Sequence, residues 1–259
     1  MLKKRLVAVL VVCDGKIVQS EQFRHPHKIH DNPVFAMDCF NKWAVDEIMT
    51  LNVSRSSKSR GQFLDVVAEL SDACFLPHVV GGWIETEQHA VDLLHCGADK
   101  VVLNTRAFED RTLVPLLADR LGRQCVVVSI DARKDADGVE RVCIDRGARL
   151  TATAVVDWAR EAEQLGAGEL FVNSIEHDGM CRGYNLDCLA KVKRAVSIPV
   201  IGFGGVSEWG HLKEGVEQAG LDAVAAANVF HYSENSCKKA KRYLLDQNLP
   251  FRSANGVKA

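Results

Sequence analysis

Long apolar runs are missing from this sequence. Its longest apolar stretches are strand length, which excludes a membrane-spanning helix. An excess of either charge is also missing. Lys and Arg total 32 against 34 Asp and Glu, a formal net charge of −2, so neither nucleic acid nor a membrane surface is an expected partner. There is no C-x-x-C pair, and the nine cysteines are odd in number. Disulfides and zinc are therefore not expected; reduced, scattered thiols in a cytoplasmic protein are. No small-residue cleavage site follows the start M-L-K-K-R-L-V-A-V-L-V-V-C, because Asp14-Gly15-Lys16 comes at once. That start is read as a first strand, not a signal peptide. What is present is ordinary: 259 residues, 47% apolar and 25% charged, enough for one large core.

Apolar strand-length runs alternate with helical patterns. Strands are expected at Leu6–Val12, Glu47–Leu51, Leu76–Val80, Lys100–Leu103, Cys125–Ile130, Leu170–Val172, Val200–Ile201 and Ala223–Ala226. Helices are expected at Pro33–Lys42, Gly61–Ser71, Thr86–Cys96, Thr112–Leu121, Ala154–Leu165, Leu186–Arg194, Glu208–Gln218 and Asn235–Gln247. Eight such alternations predict an α/β fold, a single (β/α)8 TIM barrel over residues 1–252, with a disordered tail at 253–259. Two connections are long. Asp14–Asp31 follows strand 1, and Arg133–Ala152 follows strand 5 and has the pattern of a small hairpin. Both follow strands, on the face where such barrels carry their sites.

One unit is written twice. Leu76–Phe108 runs strand, Gly81-Gly82-Trp83, helix, strand, then Asn104-Thr105; Ser197–Tyr232 runs strand, Gly204-Gly205, helix, strand, then Ala227-Asn228. The two units are offset by 123 positions, from Gly82 to Gly205. This predicts two similar halves, about 1–123 and 124–252. Glycines after a strand let backbone N–H groups approach an anion, and an Asn opening a short helix is expected to cap it. Two such devices imply a ligand with two anionic ends.

At this point the motifs resemble a known family. K-R-L-V, D-G-K-I-V, V-D-E-I, G-A-D-K-V-V-L-N-T, Q-C-V-V-V-S-I-D-A-R, L-G-A-G-E-L, H-D-G-M-C-R-G-Y-N-L-D and A-A-N-V-F-H-Y are similar to the cyclase (HisF-type synthase) subunit of imidazole glycerol phosphate synthase, from about Leu2 to Arg252. The resemblance implies a barrel that takes ammonia from a glutaminase partner (HisH-type) in a heterodimer. It implies phosphate sites at both glycine–Asn devices, and it also matches Asp178 and Gly179 after strand 6. Arg5, Glu47, Lys100 and Glu169 match the family's gate at the barrel floor, and Asp99 a position facing the glutaminase. The alternative for the four charges is a salt-bridge ring that only closes the barrel. Of the family's two acid/base aspartates, Asp131 is present, while Val11 stands in the strand-1 position. Gln19 stands for the loop-1 lysine, Asn52 for the strand-2 aspartate, Trp83 for a third glycine and Phe203 for a small hydroxyl residue. Trp83 is expected to crowd an anion at the first device, or to stack on a ring.

The losses gather at one end. That pattern favours a synthase subunit with an altered acceptor, similar to the branch paired with glutaminases in surface-polysaccharide amino-sugar pathways. Its substrate would be a small phosphorylated or nucleotide-sugar acceptor, with no cofactor. The ordinary histidine-pathway cyclase and a non-catalytic barrel that activates a glutaminase remain as alternatives. His25, His27 and His30 could bind a metal, but Pro26 and the lack of nearby Cys or carboxylates argue against one. Arg55, Lys58 and Arg60, among Ser54, Ser56, Ser57 and Ser59, could meet an anionic substrate or solvate a loop. Cys181 and Cys188 are read as incidental thiols.

Overall fold

The computed structural model describes residues 3–42, 44–56, 59–231 and 235–253. Ser57, Lys58, the side chain of His25 and the expected tail from 254 onward lie outside the described residues. The chain opens with β1 (Arg5–Cys13), then a hairpin of β2 (Lys16–Glu21) and β3 (Arg24–His30), and helix α1 (Pro33–Lys42). Strand β4 (Glu47–Asn52), α2 (Ser59–Ala73), β5 (His78–Gly81), α3 (Glu87–His95), β6 (Lys100–Leu103), α4 (Thr105–Glu109) and α5 (Leu113–Leu121) follow. Then come β7 (Val126–Lys134), a hairpin of β8 (Glu140–Ile144) and β9 (Arg149–Ala154), α6 (Val155–Leu165), β10 (Glu169–Ser174) and α7 (Leu186–Ala195). Strand β11 (Val200–Phe203), α8 (Trp209–Glu217), β12 (Ala223–Ala226) and α9 (Ser236–Asp246) complete the order.

Eight strands pair in parallel in the order β1-β4-β5-β6-β7-β10-β11-β12, and β12 returns to β1. The sheet is closed, so the chain is a (β/α)8 barrel. The eight expected strands and eight expected helices are all present, each within a few residues of its expected bounds. Short α4 is an addition. The Arg133–Ala152 connection forms its hairpin, β8 on β9, with β7 extended to pair with β8. The Asp14–Asp31 connection also forms a hairpin, β2 on β3, which alternation alone did not reveal.

The period of two sorts each barrel strand. Leu6, Ala8 and Leu10 of β1 face the helices, with Ile48, Val80, Val101, Val128 and Leu170. Val7, Val9, Met49, Val79, Val102, Val127, Phe171, Ile201, Ala223 and Ala225 fill the lumen. Phe171 and Phe203 pack there with ring centres 5.1 Å apart. Local signals hold the helices in place. Thr86 caps α3 by accepting from the His89 amide, Asn185 caps α7 by accepting from Cys188, and Gly166 ends α6 at a φ of +110°.

Candidate active site

The lumen changes character along its length. At the strand starts, Arg5, Glu47, Lys100 and Glu169 come together as a closed ring. Arg5 pairs with both Glu47 and Glu169. Lys100 Nζ lies 2.6 Å from Glu47 and 3.2 Å from Glu169. The carboxylates are buried, and each bridges both cations. Asp99, beside the ring, is exposed; its carboxylate accepts from the His78 amide at 2.8 Å. An apolar middle follows, and at the strand ends the lumen turns polar again.

Asp131 stands at that mouth, 6% exposed. Asn104 Nδ2 donates to it at 2.7 Å and to Ser129 Oγ at 3.3 Å. Asn173, opposite it in register on β10, donates as well. Burial pushes the Asp131 carboxyl up to about 7, against the two amide hydrogen bonds, and the nearby Asp178 charge adds to the rise. Asp178 is raised to about 6 by its own burial, opposed by hydrogen bonds from Ser20 Oγ and the Phe23 backbone. Two carboxyls that titrate near neutrality, within electrostatic reach of each other, are suited to proton transfer. In sequence Asp178 is only a family match after strand 6; its titration comes from burial beneath the β2–β3 hairpin, which no local pattern shows.

The expectation that Asn104 and Asn228 cap short helices is corrected. Asn104 sits before α4 but makes no capping bond, because its amide is turned to Asp131. Asn228 is the first residue of a single 3-10 turn, and the cap position before it is Ala227, whose side chain cannot make a capping bond. Asp14 does not stand in for Val11. It is exposed, and its carboxylate accepts from Ser59 Oγ at 2.9 Å, toward α2.

The second glycine device is an open pocket, lined by Gly204, Gly205, Ala227 and Asn228 together with Asp178 and Gly179; Val11, Gln19, Ser20 and Phe203 are also part of its wall. Gly205 has a φ of +87°, and a Cβ there would meet the Gly183 carbonyl at 2.3 Å. The Gly183 amide donates to the Gly205 carbonyl at 2.8 Å, and Tyr184 Oη donates to the Ala225 carbonyl at 2.9 Å. The loop can only be built with glycine.

The first device is roofed by the β8–β9 hairpin. The Asp145 amide donates to Thr105 Oγ1 at 2.9 Å, Arg146 Nη1 donates to the Ser54 carbonyl, and Arg149 pairs with Glu109. Gly81 and Gly82 are packed from behind. Added Cβ atoms would meet Val102 at 2.8 Å and Asn52 at 2.5 Å. Trp83 has a φ of +58°, and the Arg146 guanidinium sits 5.7 Å from its ring centre. Sequence reasoning missed Arg146, which carries no motif and reaches the device only through the hairpin.

Other expected candidates are not at the mouth. Arg60 pairs with Asp92 of α3 at 2.5 Å, in the helical layer, and Arg55 is exposed. His27 is exposed on β3, and His30 packs on Phe35 at 5.5 Å. Cys188 is buried and its thiol is pushed up to about 12 by desolvation, which leaves it unreactive. Exposed Cys181 lines the rim of the second pocket.

Comparison with known proteins agrees with this architecture. Residues 5–236 match the family described as "Histidine biosynthesis protein". The chain is 38% identical over 258 residues to a protein of Vibrio vulnificus (strain YJ016) described as "Putative imidazole glycerol phosphate synthase subunit hisF2", covering 100% of this chain and 94% of that protein. A closed eightfold barrel, a floor ring of four charges, two glycine devices facing one buried carboxyl and this match over nearly the whole length lead to one conclusion: the chain belongs to the histidine biosynthesis protein family, as a HisF-type member.

Proposed function

We propose that this chain is the synthase subunit of a two-component glutamine amidotransferase with an altered acceptor. A glutaminase docks on the strand-start face around Asp99, and ammonia passes the Arg5–Glu47–Lys100–Glu169 ring and ascends the apolar lumen. At the mouth it aminates a phosphorylated or nucleotide-linked sugar. One observation carries the reading: the floor ring is complete, while the mouth has Val11 for an acid/base group and a Trp83–Arg146 pair over one glycine device.

The chemistry follows from the groups present. The second device, with Gly204, Gly205 and Asn228, binds the acceptor's phosphate through backbone N–H groups. The ammonia lone pair forms an N–C bond at an electrophilic carbon, and the nitrogen must then lose a proton. Asp131, titrating near 7, accepts that proton in its ionised form. The proton that Asp131 has taken up then goes to the departing oxygen, so the step balances on one carboxyl. An apolar lumen excludes water, so that water does not compete with ammonia as the nucleophile.

The likeness to the Vibrio protein, described as an imidazole glycerol phosphate synthase subunit, favours a second reading, the ordinary cyclase of histidine biosynthesis. Three measurements decide. A HisH-type glutaminase from the same organism, co-expressed with this chain, should co-elute with it and have its glutamine hydrolysis stimulated; failure of both removes the docking claim. Complementation of a histidine auxotroph lacking its cyclase, at native expression, would overturn the altered acceptor. Product formation from ammonia with a nucleotide-linked sugar, assayed by mass, should be positive.

A further inference from the structure

The lumen ends on a hydrogen-bond acceptor that has no donor. Asn173 is 2% exposed near the end of β10, opposite Asp131 of β7 and Phe203 of β11 in register. Its side-chain N–H donates to Asp131, which fixes the end of the amide that faces the carboxyl. The other end, Oδ1, is buried and has no partner among the described residues. Two further buried side-chain acceptors lack partners there, and neither faces the lumen. Glu140 Oε2 belongs to the β8–β9 hairpin, and Ser174 is on the opposite face of β10. An unpaired buried acceptor is costly, so Oδ1 favours a molecule that brings it a donor.

The surroundings decide what that molecule is. Two residues down β10, on the same face, Phe171 packs against Phe203, and the lumen beneath them is apolar. Such a passage admits small neutral molecules and rejects ions. Ser129 Oγ, level with Phe171, already accepts from Asn104 at 3.3 Å. Gly204 gives an independent sign. It holds a φ of +99°, and a Cβ there would lie 2.6 Å from Asn173 Oδ1. Any side chain at that position would displace the acceptor, so the second glycine device also keeps Oδ1 in its place beside Asp131.

We infer that Asn173 Oδ1 receives ammonia at the top of the lumen, by accepting one of its N–H groups beside Asp131. The inference rests on the proposed function for the route by which ammonia arrives. Ammonia has three N–H groups and one lone pair. One N–H goes to Oδ1. A second faces the Asp131 carboxylate, which takes that proton once the N–C bond has formed. The lone pair is left free for the electrophilic carbon. Ammonium has no lone pair to offer, and the apolar layer beneath excludes its charge. Asn173 therefore contacts a substrate, whereas Asn104 donates to Asp131 and Ser129 and only positions the carboxyl.

The test uses the full-length chain and follows the side-chain carbonyl carbon of Asn173 by NMR, identified by its loss in Asn173→Leu. Ammonium chloride is titrated at a pH that leaves free ammonia and at one that leaves only ammonium, with sodium chloride as the control at each. A saturable shift with free ammonia alone is expected. No shift, or an equal shift with sodium chloride or with ammonium alone, overturns the inference. Kinetics with added ammonia and a nucleotide-linked sugar give a second reading. Asn173→Leu should raise KM for free ammonia roughly two- to tenfold, the effect of losing one hydrogen bond. Asn104→Leu removes a donor to Asp131; it should move the rising limb of the pH profile upward and leave KM for ammonia where it was. An equal rise of KM in both variants overturns the inference, because the effect would then come through Asp131. A responsive Asn173 with no sugar amination keeps this site and sinks the proposed acceptor. An unresponsive Asn173 beside active amination does the reverse.

Discussion

The two glycine devices share a sequence signature and differ in what the tertiary structure lays over them. Loop 1 crosses to the second device as the β2–β3 hairpin and sets Gln19 and Ser20 at its wall, leaving a pocket above Gly204 and Gly205. The connection after β7 crosses to the first device as the β8–β9 hairpin and sets a guanidinium against Trp83. The comparison teaches that a glycine turn supplies only permission for close approach; the roof decides whether backbone or side chain meets the ligand. Between them lies Asp131, held by Asn104 from the first device and Asn173 beside the second.

The sharpest way to break this picture is at the shared centre. Asp131→Asn should lower ammonia-dependent product formation by roughly 10²–10⁴-fold, as expected for a positioned acid/base group, while glutaminase co-elution is unchanged. Full turnover by the variant would remove Asp131 from the chemistry. In the wild type the rate should rise with pH through about 7, because the ionised carboxyl is the acceptor of the proton.

A change at the floor should disturb neither device. Glu47→Ala leaves Arg5 and Lys100 short of a buried counter-charge, and unfolding by denaturant should read a loss of about 3 kcal/mol. Phosphate binding at the Gly205 amide, measured under stabilising conditions, should survive. Loss of that binding would show that floor and mouth are coupled.

Gly205→Ala and Gly82→Ala contrast the two devices directly. Each forces a Cβ into a positive-φ position against tight neighbours, at a cost of about 1–3 kcal/mol read in thermal unfolding. Only Gly205→Ala should abolish phosphate binding at the second pocket. Equal loss in both would mean that the roofs do not matter.

Asp131→Asn should also stabilise the fold at high pH, by about 1–3 kcal/mol. The folded Asp131 and Asp178 carboxyls are raised to about 7 and 6, so the unfolded chain gives up its protons first as pH climbs from about 4. Stability from these groups is therefore present at low pH and lost across pH 4–7. Unfolding curves at pH 5 and 8 should show a larger gain of the variant at pH 8 than at pH 5. The smallest effect belongs to Cys181→Ser: an exposed thiol at the pocket rim should change stability by less than about 0.5 kcal/mol and leave turnover intact.

Much of the molecule was legible in the chain. Period-two apolar runs alternating with 3.6-period helices are local patterns, and eight of them allow few closed solutions. The floor ring was legible too, because Arg5, Glu47, Lys100 and Glu169 each open a strand, and strand starts converge by topology. The site was legible only as positions: Asp131 at a strand end, glycines after strands. Burial, partners and titration belong to tertiary structure. Asn104 reads as a cap until the barrel puts a carboxyl within its reach, since its partner lies on the next strand. Asp178 reads as a loop residue until the β2–β3 hairpin closes over it and desolvation raises its pKa. Arg146 reads as one hairpin charge among many until the connection folds back across the mouth onto Trp83. Sequence determined which groups exist and which strand carries them; the crossing of the two hairpins decided which of them lose water and what they face.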